Sequence, residues 1–406
     1  MPNYEWNEPD ALTALASLSG LGPASLRALR EKFGSFAAAA SRPLSELAQV
    51  ASAARPGSGN AFAKVSDLAE HLRNVRSEAT KCNADILTAA HVAWPTRLAL
   101  LRACERDSEP PLMMYVRGDL GPLERSYSVA IIGSRTADSQ ARGQAQALAA
   151  GLAEAGVTVV SGGALGVDSA AHRAALDAGG HSVAVMGTGL DKPYPSRNRR
   201  LFKDIVELGG AVVSEMPPGT GPNPGLFSKR NRIISGLADV VVVVSGRLNS
   251  GTLSTARHAI CQDRLVCAVP GDPRRALCAG PNRLLVHGAA AVLDASDVVG
   301  LLFEMRGRDV DGGRAERWLE DNRSEHRGGA VATGAQVLLT VGAQRLLERL
   351  EGLPRGADTL ADGTGLSGAE VAAALTELEM AGLAEKVAGG YVLAGAGQRS
   401  NPSGRA

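Results

Sequence analysis

Hydrophobic residues change their spacing along the chain, and these changes divide the sequence into regions. Residues 11–75 carry Leu and Ala at three- and four-residue intervals, which is the spacing of amphipathic helices. From Ser128 to about Val299, short runs of Val, Ile and Ala alternate with helical stretches. Continuous apolar runs are typical of parallel strands that helices cover on both faces. The pattern predicts a helical domain followed by a doubly wound α/β domain.

Seven apolar runs in the central region have the length of strands. Stretches between the early ones have helical periodicity, at Gln140–Glu154, Val167–Ala178 and Pro195–Glu207. An earlier run, Pro110–Gly118, predicts one further short strand. The seven predicted strands are Val129–Ile132, Val157–Val160, Val183–Met186, Ala211–Val213, Val240–Val244, Leu265–Val269 and Ala290–Leu293.

The C-terminal region has a different composition. Residues 304–334 mix charges with glycine and have few apolar positions, which predicts a linker. Three amphipathic segments (Val341–Leu350, Asp358–Thr364 and Ser367–Ala381) and a Gly-Gly hairpin then predict a winged helix, with Ser367 capping its last helix. That helix carries three Glu and no Lys or Arg, so protein interaction or a structural role is favoured over DNA contact. The predicted boundaries are 1–80 for the helical domain, 81–303 for the α/β domain, 304–334 for the linker, 335–395 for the winged helix and 396–406 for a disordered tail.

Composition limits the kinds of partner. The 406 residues include 43 basic and 42 acidic ones, so a charged partner must be met by a local patch. Only 3% are aromatic, which argues against reading nucleic acid mainly by ring stacking. Five cysteines without C-x-x-C spacing argue against a disulfide framework and a zinc site. With no signal peptide and no long apolar run, the sequence predicts a cytoplasmic protein without a membrane segment.

Familiar catalytic motifs are missing from the sequence. It contains no G-x-x-x-x-G-K-[ST], no H-E-x-x-H and no G-x-S-x-G, and its seven histidines are dispersed. One G-x-G-x-x-G, Gly363–Gly368, follows a polar helix instead of a strand and is not expected to bind a dinucleotide. We therefore predict no catalytic residue, no metal and no cofactor.

Clusters of Gly, Ser and Thr follow four of the predicted strands. The carboxyl ends of parallel strands meet at one edge of a sheet, where ligands bind. Small residues let backbone approach an anion, and helix N-termini supply N–H donors. One such loop is commonly a tight turn only, but four together predict an anion-binding edge. The candidate residues in these loops are Gly133, Ser134, Arg135, Ser161, Gly162, Gly163, Gly187, Ser250, Gly251 and Thr252.

Basic residues lie close to these loops in the sequence. Lys229, Arg230 and Arg232 surround Asn231, directly before the apolar Ile233-Ile234. Such a run is commonly a solvated helix face, but here it coincides with Arg135 and the small-residue loops. A polyanion that follows the edge of the sheet is therefore the favoured ligand. Further basic residues on a nearby predicted helix are Arg197, Arg199, Arg200 and Lys203.

The N-terminal region contains a second candidate for phosphate contact. Gly20 and Gly22 flank Leu21, and Pro23 opens the next predicted helix. Helix-hairpin-helix modules use such a turn to present backbone N–H groups to phosphate. A plain connection between two helices is the favoured alternative.

Six motifs occur together between Pro110 and Val299. They are Val129–Arg135, Ser161–Asp168, Gly187–Asp191, Arg230–Gly236, Ser250–Thr252 and Val269–Gly271. In this combination the chain closely resembles the DprA/Smf family, DNA-processing protein A. The N-terminal helices resemble the family's SAM-like domain, and the C-terminal region resembles its winged-helix extension.

The resemblance implies an extended Rossmann-like domain that forms a homodimer, binds single-stranded DNA and loads RecA onto it in natural transformation and recombination. It implies that Ser161, Gly162 and Gly163 contribute backbone donors. The sequence departs from the family at Ser228, where Pro is frequent, and at Gly163 and Leu165, where Leu and Arg are common; the Leu165 change weakens one contact at most. The phosphate contacts implied by the resemblance are Arg135, Lys229, Arg230 and Arg232.

Two other functions compete with this one. LOG-type phosphoribohydrolases share a related fold, but the position of their acid–base Glu is occupied here by Thr255. A duplex-DNA-binding regulator would act through the winged helix, against which the acidic third segment argues.

Overall fold

The computed structural model describes residues 4–99, 101, 109–125 and 127–306, together with C-terminal residues 343, 345–346, 349–350, 357–380, 384–387 and 390–393. The chain divides into two compact units, one within residues 1–327 and one within 328–406. Across the described residues, no helix is long and apolar enough to cross a membrane.

The N-terminal region is helical, as predicted. Leu12, Leu15, Leu29 and Leu47 are at most 1% exposed and form the centre of its core. The turn at Gly20 joins the first two helices, and its φ of +99° is a conformation that favours glycine. The helices are α1 (Glu8–Ala16), α2 (Pro23–Phe33), α3 (Phe36–Ala40), α4 (Leu44–Ala54) and α5 (Leu68–Lys81), with a 3-10 turn at Ser58–Lys64.

Nine strands form one sheet in the order β1-β2-β6-β5-β4-β3-β7-β8-β9. Neighbours from β6 to β9 pair in parallel, as the apolar runs predict. At one edge the sheet is mixed, because β2 pairs antiparallel with β6, and β1 pairs antiparallel with β2. The strands are β1 (Asp85–Thr88), β2 (Met113–Gly118), β3 (Ser128–Ile132), β4 (Thr158–Ser161), β5 (Ser182–Met186), β6 (Ala211–Ser214), β7 (Val240–Val243), β8 (Leu265–Ala268) and β9 (Ala290–Ala291).

Helices cover both faces of this sheet. In β7, Val240 and Val242 belong to the core on one face, while Val241 and Val243 belong to the core on the other. All four side chains are fully buried, which explains why the strand sequence is apolar without alternation. The helices are α6 (Thr96–Ala99), α7 (Gly121–Arg125), α8 (Ser139–Glu154), α9 (Val167–Asp177), α10 (Arg199–Glu207), α11 (Pro224–Gly236), α12 (Gly251–Cys261), α13 (Ala279–Val286) and α14 (Ala295–Arg306).

The C-terminal unit contains α15 (Ala357–Thr364), α16 (Gly368–Met380) and a hairpin of β10 (Ala384–Val387) and β11 (Gly390–Leu393). Ser367 caps α16 as predicted: its Oγ accepts from the Glu370 backbone N–H at 3.4 Å, and the Glu370 carboxylate accepts from the Ser367 backbone N–H at 2.8 Å. Helix α14 runs to Arg306, past the start of the predicted linker at residue 304. The rest of that linker, most of Val341–Leu350 and the predicted tail lie outside the described residues.

Candidate nucleic-acid interface

A cleft of about 480 Å³ lies at the carboxyl edge of the sheet, beside the ends of β3 and β7. We call it the edge cleft. Its walls are the loop 133–136, the start of α9, one face of α11 and the loop 247–252. The predicted site residues that line it are Gly133, Ser134, Arg135, Arg230, Asn231, Ser250, Gly251 and Thr252.

Hydrogen bonds fix the loop that carries Arg135. The Ser134 backbone N–H donates to Oγ of Ser245 at 3.2 Å, and the Thr136 N–H donates to Oγ of Ser134 at 3.1 Å. Asp138 then caps α8 by accepting from the Ala141 N–H at 2.9 Å. Because the backbone on both sides is held, the exposed Arg135 side chain stands at a fixed place on the rim of the cleft.

The first turn of α12 forms another wall. Ser250 is its N-cap residue, and Gly251 and Thr252 begin the helix. Oγ of Ser250 is buried and has no hydrogen-bond partner among the described residues. A hydroxyl beside the positive end of a helix dipole can donate to an anion placed there. The side-chain amide of Asn231 donates to the Gly251 carbonyl at 3.3 Å and ties α11 to this turn.

Positive charge predominates around the cleft, where Arg135, Arg230 and Arg247 face a single carboxylate, Asp168. The exposed Arg135 and Arg247 are available to a ligand in the cleft. Arg230 is 7% exposed and donates to the carbonyls of Gly162, at 2.6 Å, and Val185. Burial lowers the pKa of Arg230 to about 10, so its guanidinium stays charged at neutral pH and contributes its field from below the surface.

The buried carboxyl of Asp168 lies next to this guanidinium. Burial raises the pKa of Asp168, while the charge of Arg230 and a hydrogen bond from the Ala164 N–H, 3.2 Å long, oppose the rise. Asp168 is 7% exposed, and it interacts more strongly with Arg230 than with Arg135. A polyanion in the cleft meets a net positive surface.

Two aromatic rings lie beside the cleft. Phe227 lines it, and the Tyr194 ring lies 5.4 Å from the Phe227 ring, centroid to centroid. The guanidinium carbon of Arg135 lies 5.4 Å from the same Phe227 centroid. Tyr194 is 46% exposed. A chain with few aromatic residues therefore places two of them together, next to an arginine, where bases could stack.

Four of the predicted loop residues support the cleft from behind and do not line it. Ser161 is fully buried, and its Oγ donates to the Ile131 carbonyl at 2.6 Å. A Cβ at Gly162 would lie 2.6 Å from the guanidinium of Arg230, and one at Gly163 would lie 2.3 Å from the Phe202 ring. Gly187 is closed off in the same way by Phe227, 2.8 Å from its hypothetical Cβ. The three glycines are small because neighbouring side chains occupy the space beside them.

Two predicted phosphate contacts lie on the opposite face of α11. Arg232 is 1% exposed and donates to the Glu109 carbonyl at 2.7 Å and to the Glu215 carboxylate at 2.6 Å. Its placement contradicts the expected phosphate contact, because its charge is already paired and covered. Lys229 is half-exposed, with Nζ 3.5 Å from the Glu215 carboxylate. It lines a separate cavity beside the Gly20–Gly22 turn, outside the edge cleft.

The periodicity of α11 divides its residues between the face that lines the cleft and the opposite face, and this division can be read from the sequence alone. Phe227, Asn231 and Ile234 follow one another at four and three positions and line the cleft together. Lys229 and Arg232, three positions apart, share the other face. Three residues beside the cleft were not among the predicted site residues: Arg247, three positions before Ser250, and the aromatic residues Tyr194 and Phe227. No local pattern distinguishes those two from core aromatics.

Comparisons with known proteins agree with this architecture. Residues 85–303 match the family model of DNA recombination-mediator protein A, and residues 332–390 match the DprA winged helix domain. Protein Smf of Escherichia coli is 36% identical over 283 residues, which are 70% of this chain and 71% of that one. The chain belongs to the DNA recombination-mediator protein A family.

Other members of the family show the same relationship. The DNA processing protein DprA of Streptococcus pneumoniae is 39% identical over 191 residues, 47% of this chain and 67% of that one. The crystal structure of the Streptococcus pneumoniae protein superposes with a TM-score of 0.59 at 29% identity, covering 71% of this chain and 95% of that chain. The fold is therefore the Rossmann-like α/β fold of this family with a C-terminal winged helix, and the resemblance seen in the sequence is confirmed.

Proposed function

We propose that this protein binds single-stranded DNA in the edge cleft. The observation that carries the proposal is the row of Tyr194, Phe227 and Arg135 beside a cleft with a net positive lining. Bases in a duplex are paired and stacked on each other, whereas unpaired bases can lie on an aromatic ring. Membership of a DNA-processing family supports the proposal that the bound polyanion is DNA.

Phosphate groups supply most of the binding free energy in this proposal. Arg135 and Arg247 would contact the backbone directly, while Ser250, Gly251 and Thr252 would offer a hydroxyl and helix N–H groups. About four neutralised phosphates give a slope near −3 in a plot of log affinity against log salt. Sequence preference would be weak, because phosphates and ring faces are common to all nucleotides.

Fluorescence anisotropy with a labelled oligonucleotide tests this function. We expect salt-dependent binding of a single strand, and a duplex of the same sequence should compete poorly. A duplex that competes equally well would contradict base stacking in the cleft. It would favour the alternative of a duplex-DNA-binding regulator that acts through the winged helix. No salt dependence would contradict the phosphate contacts.

The second part of the proposal is that the protein transfers the bound strand to RecA during recombination and DNA uptake, in the cytoplasm. It rests on membership of a recombination-mediator family. The test measures RecA ATP hydrolysis on single-stranded DNA that is coated with single-strand binding protein. Addition of this protein should shorten the lag before hydrolysis, and an unchanged lag would contradict RecA loading.

We also propose a homodimer, in keeping with the resemblance of the central domain to its family. Light scattering behind size-exclusion chromatography should give twice the 41.8 kDa mass of the chain. A monomer mass at micromolar concentration would contradict this part alone.

A further inference from the structure

Four arginines from three neighbouring segments line a second cavity, of about 300 Å³. Arg142 lies on α8 and Arg173 on α9, while Arg197 and Arg200 lie immediately before and on α10. We call this cavity the arginine pocket. None of the residues assigned to the edge cleft lines it.

Most of the positive charge in this pocket is left without a counter-charge. Asp204 pairs with Arg173 at 2.8 Å and with Arg200 at 3.3 Å, and it is the one carboxylate that bonds to the four arginines in the described part of the chain. Asp138 also interacts electrostatically with Arg142, but it is itself paired with Arg275, so the pocket keeps a net positive charge. Arg142 donates to the Ala137 carbonyl at 2.9 Å, and Arg197 is exposed. A chain with a net charge of +1 thus concentrates cations at this place.

The arginine pocket and the edge cleft share a wall. Gly166 lines the pocket, and a Cβ added to it would lie 2.2 Å from the Ser134 carbonyl oxygen and 2.9 Å from the Arg135 carbonyl carbon. The loop that carries Arg135 is therefore in direct contact with the rim of the pocket. A strand that leaves the cleft past Arg135 meets the arginines next.

We propose that the arginine pocket is a second phosphate-binding site, which holds the backbone of the same DNA strand after it leaves the edge cleft. The proposal rests on the proposed function of the cleft. Guanidinium groups bind phosphate with paired hydrogen bonds and remain charged at all physiological pH values. The pocket presents no exposed aromatic ring among its lining residues, so it would hold phosphates without stacking bases. It lengthens the bound segment and adds no sequence preference.

Oligonucleotides of two lengths test this site in the full-length protein. An oligonucleotide of about 6 nucleotides fills the cleft only, and one of about 20 nucleotides reaches the pocket as well. The variant is Arg142→Glu/Arg197→Glu, which leaves the pairing of Asp204 intact. The control is Lys64→Glu/Arg73→Glu, which makes the same charge change at exposed positions of the N-terminal helices. Circular dichroism verifies that both variants fold.

We expect the pocket variant to bind the long oligonucleotide at least about tenfold more weakly than the control, with a salt slope smaller by about 1.4. Its affinity for the short oligonucleotide should equal that of the control variant. Equal affinities for the long oligonucleotide would overturn the second site, while the proposed cleft would stand. An equal loss at both lengths would overturn the order of cleft and pocket. Wild type that binds neither length would contradict the proposed function itself.

Discussion

The guanidinium of Arg135 lies over the ring of Phe227, with 5.4 Å between the guanidinium carbon and the ring centroid. A cation and an aromatic ring are thereby held side by side at the edge of the sheet, where we propose that they meet phosphate and base. Phe227 in turn lies 5.4 Å from Tyr194, the more exposed of the two rings. Under the proposed function, this pair of rings is what would let a chain with few aromatic residues prefer a single strand.

Tyr194 should contribute to binding through its ring and not through its hydroxyl. Stacking of one base contributes about 1–3 kcal/mol, so Tyr194→Ala should weaken single-strand binding roughly five- to hundredfold. Tyr194→Phe is the control and should bind as wild type does. Anisotropy titrations at fixed salt measure both. If the two variants bind equally, Tyr194 does not stack on a base.

Gly187→Ala should weaken DNA binding without any change of charge. Its Cβ would lie 2.8 Å from Cδ1 and 3.3 Å from Cα of Phe227, so the ring must shift from its place beside Tyr194 and Arg135. We expect a lower affinity with an unchanged salt slope. Gly143→Ala on α8 is the control, because nothing lies within 4 Å of its Cβ. A steeper or flatter salt slope in the Gly187 variant would show that phosphate contacts changed instead.

Arg232 should affect folding and leave DNA affinity unchanged. Burial opposes ionisation of Glu215, but the charges of Arg232 and Lys229 prevail and lower the pKa of Glu215. Removal of the guanidinium in Arg232→Met leaves a buried carboxylate without its main partner and should cost about 3–5 kcal/mol of unfolding free energy. Arg232→Met/Glu215→Met should recover most of that loss in urea denaturation.

The DNA affinity of the folded Arg232→Met variant should stay within about twofold of wild type, because the side chain does not reach the cleft. A tenfold loss of affinity at a temperature where this variant is folded would restore Arg232 as a phosphate contact.

His172 should make the fold sensitive to acid. Its Nδ1 lies 2.7 Å from Oγ of Ser182, and burial lowers the pKa of His172 to about 3. The unfolded chain, in which the pKa of histidine is about 6.5, therefore binds more protons than the folded protein between these values. This contribution to stability is complete above about pH 6.5 and falls as the pH drops toward 3.

Urea denaturation at several pH values measures this effect. Wild type should lose unfolding free energy more steeply between pH 7 and pH 5 than His172→Gln, which lacks the titrating group. The variant is expected to be less stable at pH 7, so the comparison concerns the slope. Parallel pH dependences would show that folding does not lower the pKa of His172.

The sequence could predict the central fold because buried parallel strands leave a clear pattern. Runs such as Val240–Val244 have no polar position, and the structure places β7 within one residue of that prediction. Strand β1 was missed because Asp85–Thr88 is a four-residue edge strand with mixed polarity. The antiparallel direction of β2 could not be predicted from the sequence either, since the direction of pairing depends on which strand becomes its neighbour.

The sequence predicted where the candidate site lies in the fold better than it predicted which residues line it. Small residues after β3 and β7 correctly indicated loops that form a cleft, because the strands are adjacent. Whether a cation is exposed depends on contacts distant in sequence. Arg232 is paired with Glu215, 17 positions away, and Arg230 donates to the carbonyls of Gly162 and Val185. Because of such contacts, the guanidinium groups of Arg230 and Arg232 bond to other parts of the protein and stabilise the fold around the cleft.

The central claim is that the edge cleft binds single-stranded DNA through Arg135 and Arg247. The most direct test compares Arg135→Glu/Arg247→Glu with Lys64→Glu/Arg73→Glu by anisotropy with a short single-stranded oligonucleotide. We expect the control to bind as wild type does, while the cleft variant loses at least about tenfold in affinity and about 1.4 in salt slope. Unchanged binding by the cleft variant would contradict the account and move the DNA site elsewhere on the protein.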